Sequence, residues 1–301
     1  MKKYFGIVFT NLVCCGLVSC DNFEYLPYSV RIDGETEVNV KNIGIIEQMN
    51  LKPPYKFAFI TDTQGALNET SDALDIIRAR GDISFVVHGG DQTDFGLPKE
   101  YMWCRDIMES TGLPYVAVIG NHDCLGNGKD TFAEIYGPEN FSFNAGPVHF
   151  VCLNTVALEY DYSHPVPDFG FIKSDYEAVA SINKESPGTI THTVVAMHSQ
   201  PYDFQFNNNV AEPFNFYLSF YPGLGENDER MQPDADSGEA EGESIRPLAK
   251  GFCINGHNHA TDVSDIFGNG ILYYQCANIA KRTFFVFTIT DDGYEFEEVD
   301  F

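Results

Sequence analysis

Five times along this 301-residue chain, an apolar run ends abruptly in a short polar cluster. The first is Phe57-Ala-Phe-Ile-Thr-Asp-Thr-Gln64. A continuous apolar run that stops at polar residues reads as a strand buried on both faces. The polar end then projects from the carboxyl edge of a sheet, where open α/β sheets place their sites. Asp62 and Gln64 are two residues apart, so they leave the strand on one side and can reach one object. The other four clusters are Gly90-Asp-Gln-Thr-Asp94, Gly120-Asn-His-Asp123, Ala196-Met-His-Ser199 and Gly256-His-Asn-His259. Glycines at 90, 120 and 256 let the backbone turn sharply and approach a bound ion.

The order of elements sets the fold class. Strands are predicted at Lys56–Thr61, Ile83–His88 and Tyr115–Ile119, with helices from Ser71 to Gly81 and over Lys99–Thr111 between them. That alternation predicts parallel strands joined by crossover helices. Further strands are expected at His149–Asn154, Thr193–Met197, Phe252–Ile254, Ile271–Cys276 and Thr283–Ile289, with helices at Thr131–Tyr136 and Phe171–Ile182. Gly268-Asn-Gly270 and Asp291-Asp-Gly293 read as hairpin turns, which makes the closing part antiparallel. Before the first buried strand, Arg31–Val40 alternates enough for an edge strand and Val40–Met49 suits a short helix. Residues 203–247 break the rhythm with an aromatic patch and an acidic Gly- and Pro-containing run. A long insertion of this kind predicts a wall or flap beside a site.

The first nineteen residues are an address. Lys2 and Lys3 precede an apolar run too short to span a bilayer, as in a secretory signal. The ending Leu17-Val-Ser-Cys20 resembles a bacterial lipobox, which implies cleavage before Cys20 and a lipid on its thiol. The expected organisation is a signal at 1–19, a tether and edge segment at 20–54, and one catalytic domain at 55–301. The protein would then be exported and held on a bacterial membrane by its lipid. Five cysteines remain beyond the address, an odd number without paired spacing, which excludes a disulfide framework. With 44 acidic against 18 basic residues the net charge is −26. Such a surface repels nucleic acid and anionic lipid, so nucleic acid is not a partner.

The donors in the five clusters are carboxylate, amide oxygen and imidazole. That mixture suits a first-row transition metal better than calcium, which takes oxygen alone. In this order the clusters resemble the calcineurin-like metallophosphoesterases, whose pattern is D-x-H, G-D-x-x-D, G-N-H-D/E, a later lone His, and G-H-x-H. Four of the five match at every defining position. The resemblance implies an αββα sandwich of two mixed β-sheets flanked by helices, and a dinuclear site. One ion (Mn, Fe or Zn, divalent or trivalent) would take Asp62, Gln64, Asp91 and His259. The other would take Asp91, Asn121, His198 and His257. His122 would face a phosphorylated small-molecule substrate, steered by Asp94, which could equally cap the following helix. The implied reaction is hydrolysis of a phosphomonoester or phosphodiester by a metal-bridging hydroxide, with His122 protonating the leaving alkoxide. Gln64 stands where the pattern has His. An amide oxygen is a weaker ligand, so the alternative is a metal-dependent binding protein of the same fold. His88, His149, His164 and His192 match no cluster and read as structural.

Overall fold

The computed structural model describes residues 31–160, 165–224 and 250–301. The signal, Cys20, the Tyr25–Tyr28 tether, His164 and the acidic run at 225–249 lie outside the described residues.

Two mixed sheets stack face to face. The first holds β1 (Tyr55–Ile60), β2 (Ile83–His88), β3 (Tyr115–Ala117), β10 (Thr283–Thr290) and β11 (Gly293–Asp300). Their order is β11-β10-β1-β2-β3. The second holds β4 (Phe141–Ala145), β5 (Val148–Leu153), β6 (His192–Met197), β7 (Phe252–Asn255), β8 (Asp262–Ser264) and β9 (Tyr273–Gln275). It runs β4-β5-β6-β7-β9-β8. Helices α1 (Val38–Gln48), α2 (Leu67–Arg80), α3 (Pro98–Glu109), α4 (Gly128–Ile135), α5 (Phe169–Glu185) and α6 (Ala211–Leu218) accompany them.

The period-two character of the strands explains the layering. In β1, Phe57 and Phe59 point at the other sheet, where they meet Phe150, Phe252 and Ile254. Ala58 and Ile60 point the opposite way, onto Ala73, Leu74 and Ile77 of α2 and Tyr101 and Met108 of α3. The second sheet repeats the scheme. Its Val151, Val195, Met197 and Cys253 face Ile172 of α5 and Phe214 and Leu218 of α6. The central strands are covered on both faces, which is why their sequences are continuously apolar rather than alternating. The layer order is therefore helix, sheet, sheet, helix. Phe57 lies at the centre, stacked on Phe85 at 5.4 Å and on Phe287 at 5.2 Å, with Phe150 edge-on at 5.2 Å.

Several expectations change. Residues 31–37 form no strand, and Val38 already belongs to α1. The alternation there is instead a docking surface. Buried Arg105 reaches from α3 and donates to the main-chain oxygens of Asp33 and Glu35. The closing part is not simply antiparallel, because β7 pairs β9 in parallel and β5, β6 and β7 are parallel neighbours. Among the described residues, the β8–β9 and β10–β11 hairpins and the β1–β10 pairing run antiparallel in that half. Of the aromatic patch, Phe214 and Tyr221 are core. The five cysteines are buried and free.

Removing the ring at the centre of this packing tests the layering. Phe57→Ala is expected to lower the free energy of unfolding by about 3–5 kcal/mol, read by denaturant titration. A loss no larger than that of an exposed Phe→Ala would contradict a core shared by both sheets.

Candidate metal centre

All five polar clusters sit at carboxyl ends of parallel strands. Asp62 follows β1, Asp91 follows β2 and Asn121 follows β3, three neighbours in the first sheet. His198 follows β6 and His257 follows β7, neighbours in the second. Because the sheets stack, the five loops meet over one edge. Hydrogen bonds stitch them across the gap. His198 Nδ1 lies 2.8 Å from the Gly89 oxygen, and the His257 amide donates to Asp62 Oδ2 at 3.1 Å. The Gly256 amide donates to the His198 oxygen.

Two glycines allow the approach. A Cβ on Gly120 would lie 2.2 Å from both the amide nitrogen and Oδ1 of Asp91, and one on Gly256 would lie 2.3 Å from Asp62 Oδ2. Each is below any tolerated contact, so no other residue fits.

The candidate ligands fall into two groups that share one residue. Single donor atoms of Asp62, Asp91 and His259 lie within 4.8 Å of one another, as do those of Asp91, His198 and His257. Asn121 Oδ1 is 3.1 Å from His198 Nε2, which places it with the second group. Gln64 joins the first through a 3.5 Å contact of its amide nitrogen to Asp91 Oδ2. To meet a cation, that amide must turn its oxygen inward. Five of these residues have a left-handed backbone, with φ of 51° at Asp62, 38° at Gln64, 55° at Asp91, 75° at His257 and 55° at His259. Non-glycine residues rarely adopt this conformation, and such strain gathers where a structure aims side chains at a common point.

Electrostatics identify what the cluster lacks. Asp62 and Asp91 are buried, with Asp123 fully enclosed behind them. Desolvation works against the Asp91 charge, yet His198 and the His122 amide, which donates to Asp91 Oδ1 at 2.9 Å, hold its pKa below the usual range. Burial likewise opposes charge on His198, and the Asp91 and Asp62 carboxylates outweigh it, lifting the pKa to about 10. Asp62 Oδ1 and His257 Nε2 are buried without a hydrogen-bond partner. His259 Nε2 lies 3.3 Å from Asp62 Oδ1, and Asp203 Oδ1 lies 3.2 Å from His257 Nε2. Buried polar atoms left this way are costly, and a cation seated between the two groups would satisfy both. The donor set therefore fits a pair of transition-metal ions.

His122 stands at the mouth. Its Nδ1 lies 2.9 Å from the main-chain oxygen of Asp94. A carbonyl only accepts, so Nδ1 carries the hydrogen and Nε2 is left to face outward. The Asp94 carboxylate makes no hydrogen bond to that ring among the described residues. It lies against Gly65, whose hypothetical Cβ would be 2.8 Å from Asp94 Oδ2. Nor does Asp94 cap α3. Leu97 holds that position, and Glu100 reaches back to the amides of Phe95 and Leu97.

Three residues support the site from behind. Asp123 accepts from the amides of Gln92, Thr93 and Gly120 and from the Thr93 hydroxyl, so it ties the second and third loops together. Burial and the charge of Asp91 push its pKa up to about 7 against these donors. Asp203 stands behind His257. His88, read as structural, braces the second loop: its Nδ1 accepts from the Gly90 amide and its Nε2 is 3.0 Å from Thr63 Oγ1. The position of Asp123 directly after His122 was the one available signal, and an unpaired carboxylate there is indistinguishable by sequence from a solvent-facing one. Asn154, which follows β5, donates to Glu139. The Cys124 thiol is buried and donates to the Gly120 oxygen, with burial raising its pKa well above the usual value.

A four-layer sandwich whose strand ends gather two donor groups around one shared aspartate defines a metal-binding hydrolase class. The chain belongs to the calcineurin-like phosphoesterase family, whose profile matches residues 55–260. Among solved structures it is similar to a dimetal phosphatase from Danio rerio, at 11% identity and a TM-score of 0.56, covering 83% of this chain and 98% of that one. It is also similar to a purple acid phosphatase from yellow lupin seeds, at 13% identity and a TM-score of 0.51, covering 83% of this chain and 52% of that one. These likenesses are of fold. No curated protein matches the chain.

Asp123→Ala would strand three buried amides. It is expected to cost about 2–5 kcal/mol in unfolding free energy, measured by urea titration, and a change under about 0.5 kcal/mol, typical of an ordinary surface substitution, would contradict the bracing role. Adding Mn2+ in excess should raise the melting temperature of the full chain, and a chelator should reverse the rise.

Proposed function

We propose that the protein is a metal-dependent phosphoesterase. Asp62, Gln64, Asp91 and His259 would hold one cation, and Asp91, Asn121, His198 and His257 the second. The single observation that carries this reading is the pair of donor groups meeting at Asp91. When bound, two cations supply an acidified water as nucleophile and positive charge for the phosphoryl oxygens.

The chain's own residues do the rest. His122 is oriented by the Asp94 carbonyl and by its own amide on Asp91 Oδ1. As imidazolium, its Nε2 donates to the phosphoryl group and passes its proton to the leaving oxygen as the P–O ester bond breaks. Asp123 and His88 keep the loops that carry Asp91 and His122 in place. Metal ligation requires a neutral His198, so its proton must leave when the site fills.

One observation favours a binding protein without efficient turnover: Gln64 presents nitrogen rather than oxygen to Asp91. A colorimetric assay with p-nitrophenyl esters separates the two. The Mn2+-loaded full chain is expected to release p-nitrophenol, and a chelator should abolish the release. His122→Ala should fold normally and lose about 100-fold or more in kcat, the scale of a positioned general acid, and Asp91→Ala should lose more. Near-normal hydrolysis by a folded Asp91→Ala variant would sink the assignment.

The leader supports export and lipid attachment at Cys20. Expression with a bacterial lipoprotein pathway should yield a mature chain beginning at a lipid-bearing Cys20, which the mass of its N-terminal peptide reveals.

A further inference from the structure

The rim of the site constrains what it can accept, on the reading that it cleaves phosphate esters. Among the described residues, no lysine or arginine nitrogen bonds to any candidate ligand or to His122. Several of the described basic side chains are engaged elsewhere. Arg105 holds the main chain at Asp33 and Glu35. Lys129 donates to the Glu159 oxygen and lies over the Tyr160 ring, and Lys99 lies over Trp103. Lys56 and Arg80 pair with Asp82 and Glu297. At neutral pH a phosphomonoester brings about −1.5 to −2 charge, into a chain whose net charge is −26. A diester brings a single negative charge and suffers less repulsion.

What borders the site is apolar instead. Phe204 packs on the ring of His257, with centroids 4.8 Å apart, yet remains 65% exposed. Leu158, also 65% exposed, follows Ala157, whose amide donates to the Gln205 oxygen. Across the site, Phe95 is 63% exposed and follows the residue whose carbonyl orients His122. Large apolar side chains this exposed, Phe204 beside His257 and Phe95 next to the residue that orients His122, are unfavourable in water and mark a surface made to be covered. The Phe204 ring is tilted at 53° to that of His257 and most of it is open, which suits a second ring.

We propose that the preferred substrate is a phosphodiester carrying an aromatic group, aryl or nucleobase, which packs against Phe204 while the phosphate meets the metal centre. Hydrolysis then adds one water across the P–O bond: the hydroxyl goes to phosphorus, the proton to the leaving oxygen, and the aromatic arm stays on Phe204. Phe204 is a specificity-determining residue in this arrangement, and the strongly acidic chain disfavours the doubly charged monoesters.

The test compares three esters with one leaving group, using the Mn2+-loaded full chain: phenyl p-nitrophenyl phosphate, methyl p-nitrophenyl phosphate and p-nitrophenyl phosphate. The phenyl diester should have the highest kcat/KM. Its ratio to the methyl diester should fall by about two- to tenfold in Phe204→Ala, the scale of one aromatic pair. Phe204→Leu keeps an apolar cover on His257 without the ring, and should lower the ratio likewise while melting as the parent does. A readout independent of turnover is calorimetric binding of diphenylphosphinate against dimethylphosphinate. The diphenyl anion should bind more tightly, with the advantage reduced in both variants. A preference for the monoester, or a phenyl-to-methyl ratio unmoved by both substitutions, would overturn this inference while leaving the phosphoesterase reading intact. Hydrolysis of none of the three would overturn that reading instead, and equal binding of the two phosphinates would then overturn this one as well.

Discussion

Three aspartates, at 62, 91 and 123, are buried together at one sheet edge with no lysine or arginine bonded to them among the described residues. That concentration of negative charge is the constraint on which the rest depends. Carboxylates out of water must be neutralised, protonated or bonded to donors. Asp123 takes the donor solution, collecting amides from two loops. Asp91 is shared between His198 and the His122 amide, and Asp62 retains an oxygen with no hydrogen-bond partner. The histidines can relieve part of the charge, but two cations relieve all of it.

The sandwich exists, in effect, to hold that arrangement. Interlocked phenylalanines between the sheets fix the distance between strand ends, so loops from opposite sheets can bond to each other. Left-handed φ at five candidate ligands is unfavourable locally and is maintained because these cross-sheet bonds leave the loops no alternative. The region where the chain is most strained is also where its donors converge.

Much of this was legible in the sequence, for physical reasons. Strands buried on both faces have unbroken apolar runs, so β1, β2 and β6 are visible, and a polar residue ending such a run must lie at a sheet edge. The ordered motifs then name candidate donors, and the fold brings them together. What stayed hidden depends on contacts distant in the chain or on main-chain atoms. Asp123 bonds to amides about thirty residues away. Asp203 meets His257 from a loop in the insertion. The orienting of His122 by a carbonyl leaves no mark in residue types. At Arg31–Val40, alternation suggested a strand, but the partner there is the Arg105 side chain rather than another strand, and the helix begins early. β4 was missed because its alternating Phe141-Ser-Phe-Asn-Ala145 is short and one-sided, as suits a sheet edge.

The claim at the centre of this account is that one aspartate serves two cations. Metal content of the purified, dialysed full chain, determined by plasma mass spectrometry for the parent, Asp91→Ala and His259→Ala, tests it most directly. Two ions per chain in the parent, close to none in Asp91→Ala and about one in His259→Ala are predicted for a shared ligand. Retention of two ions by Asp91→Ala would contradict it.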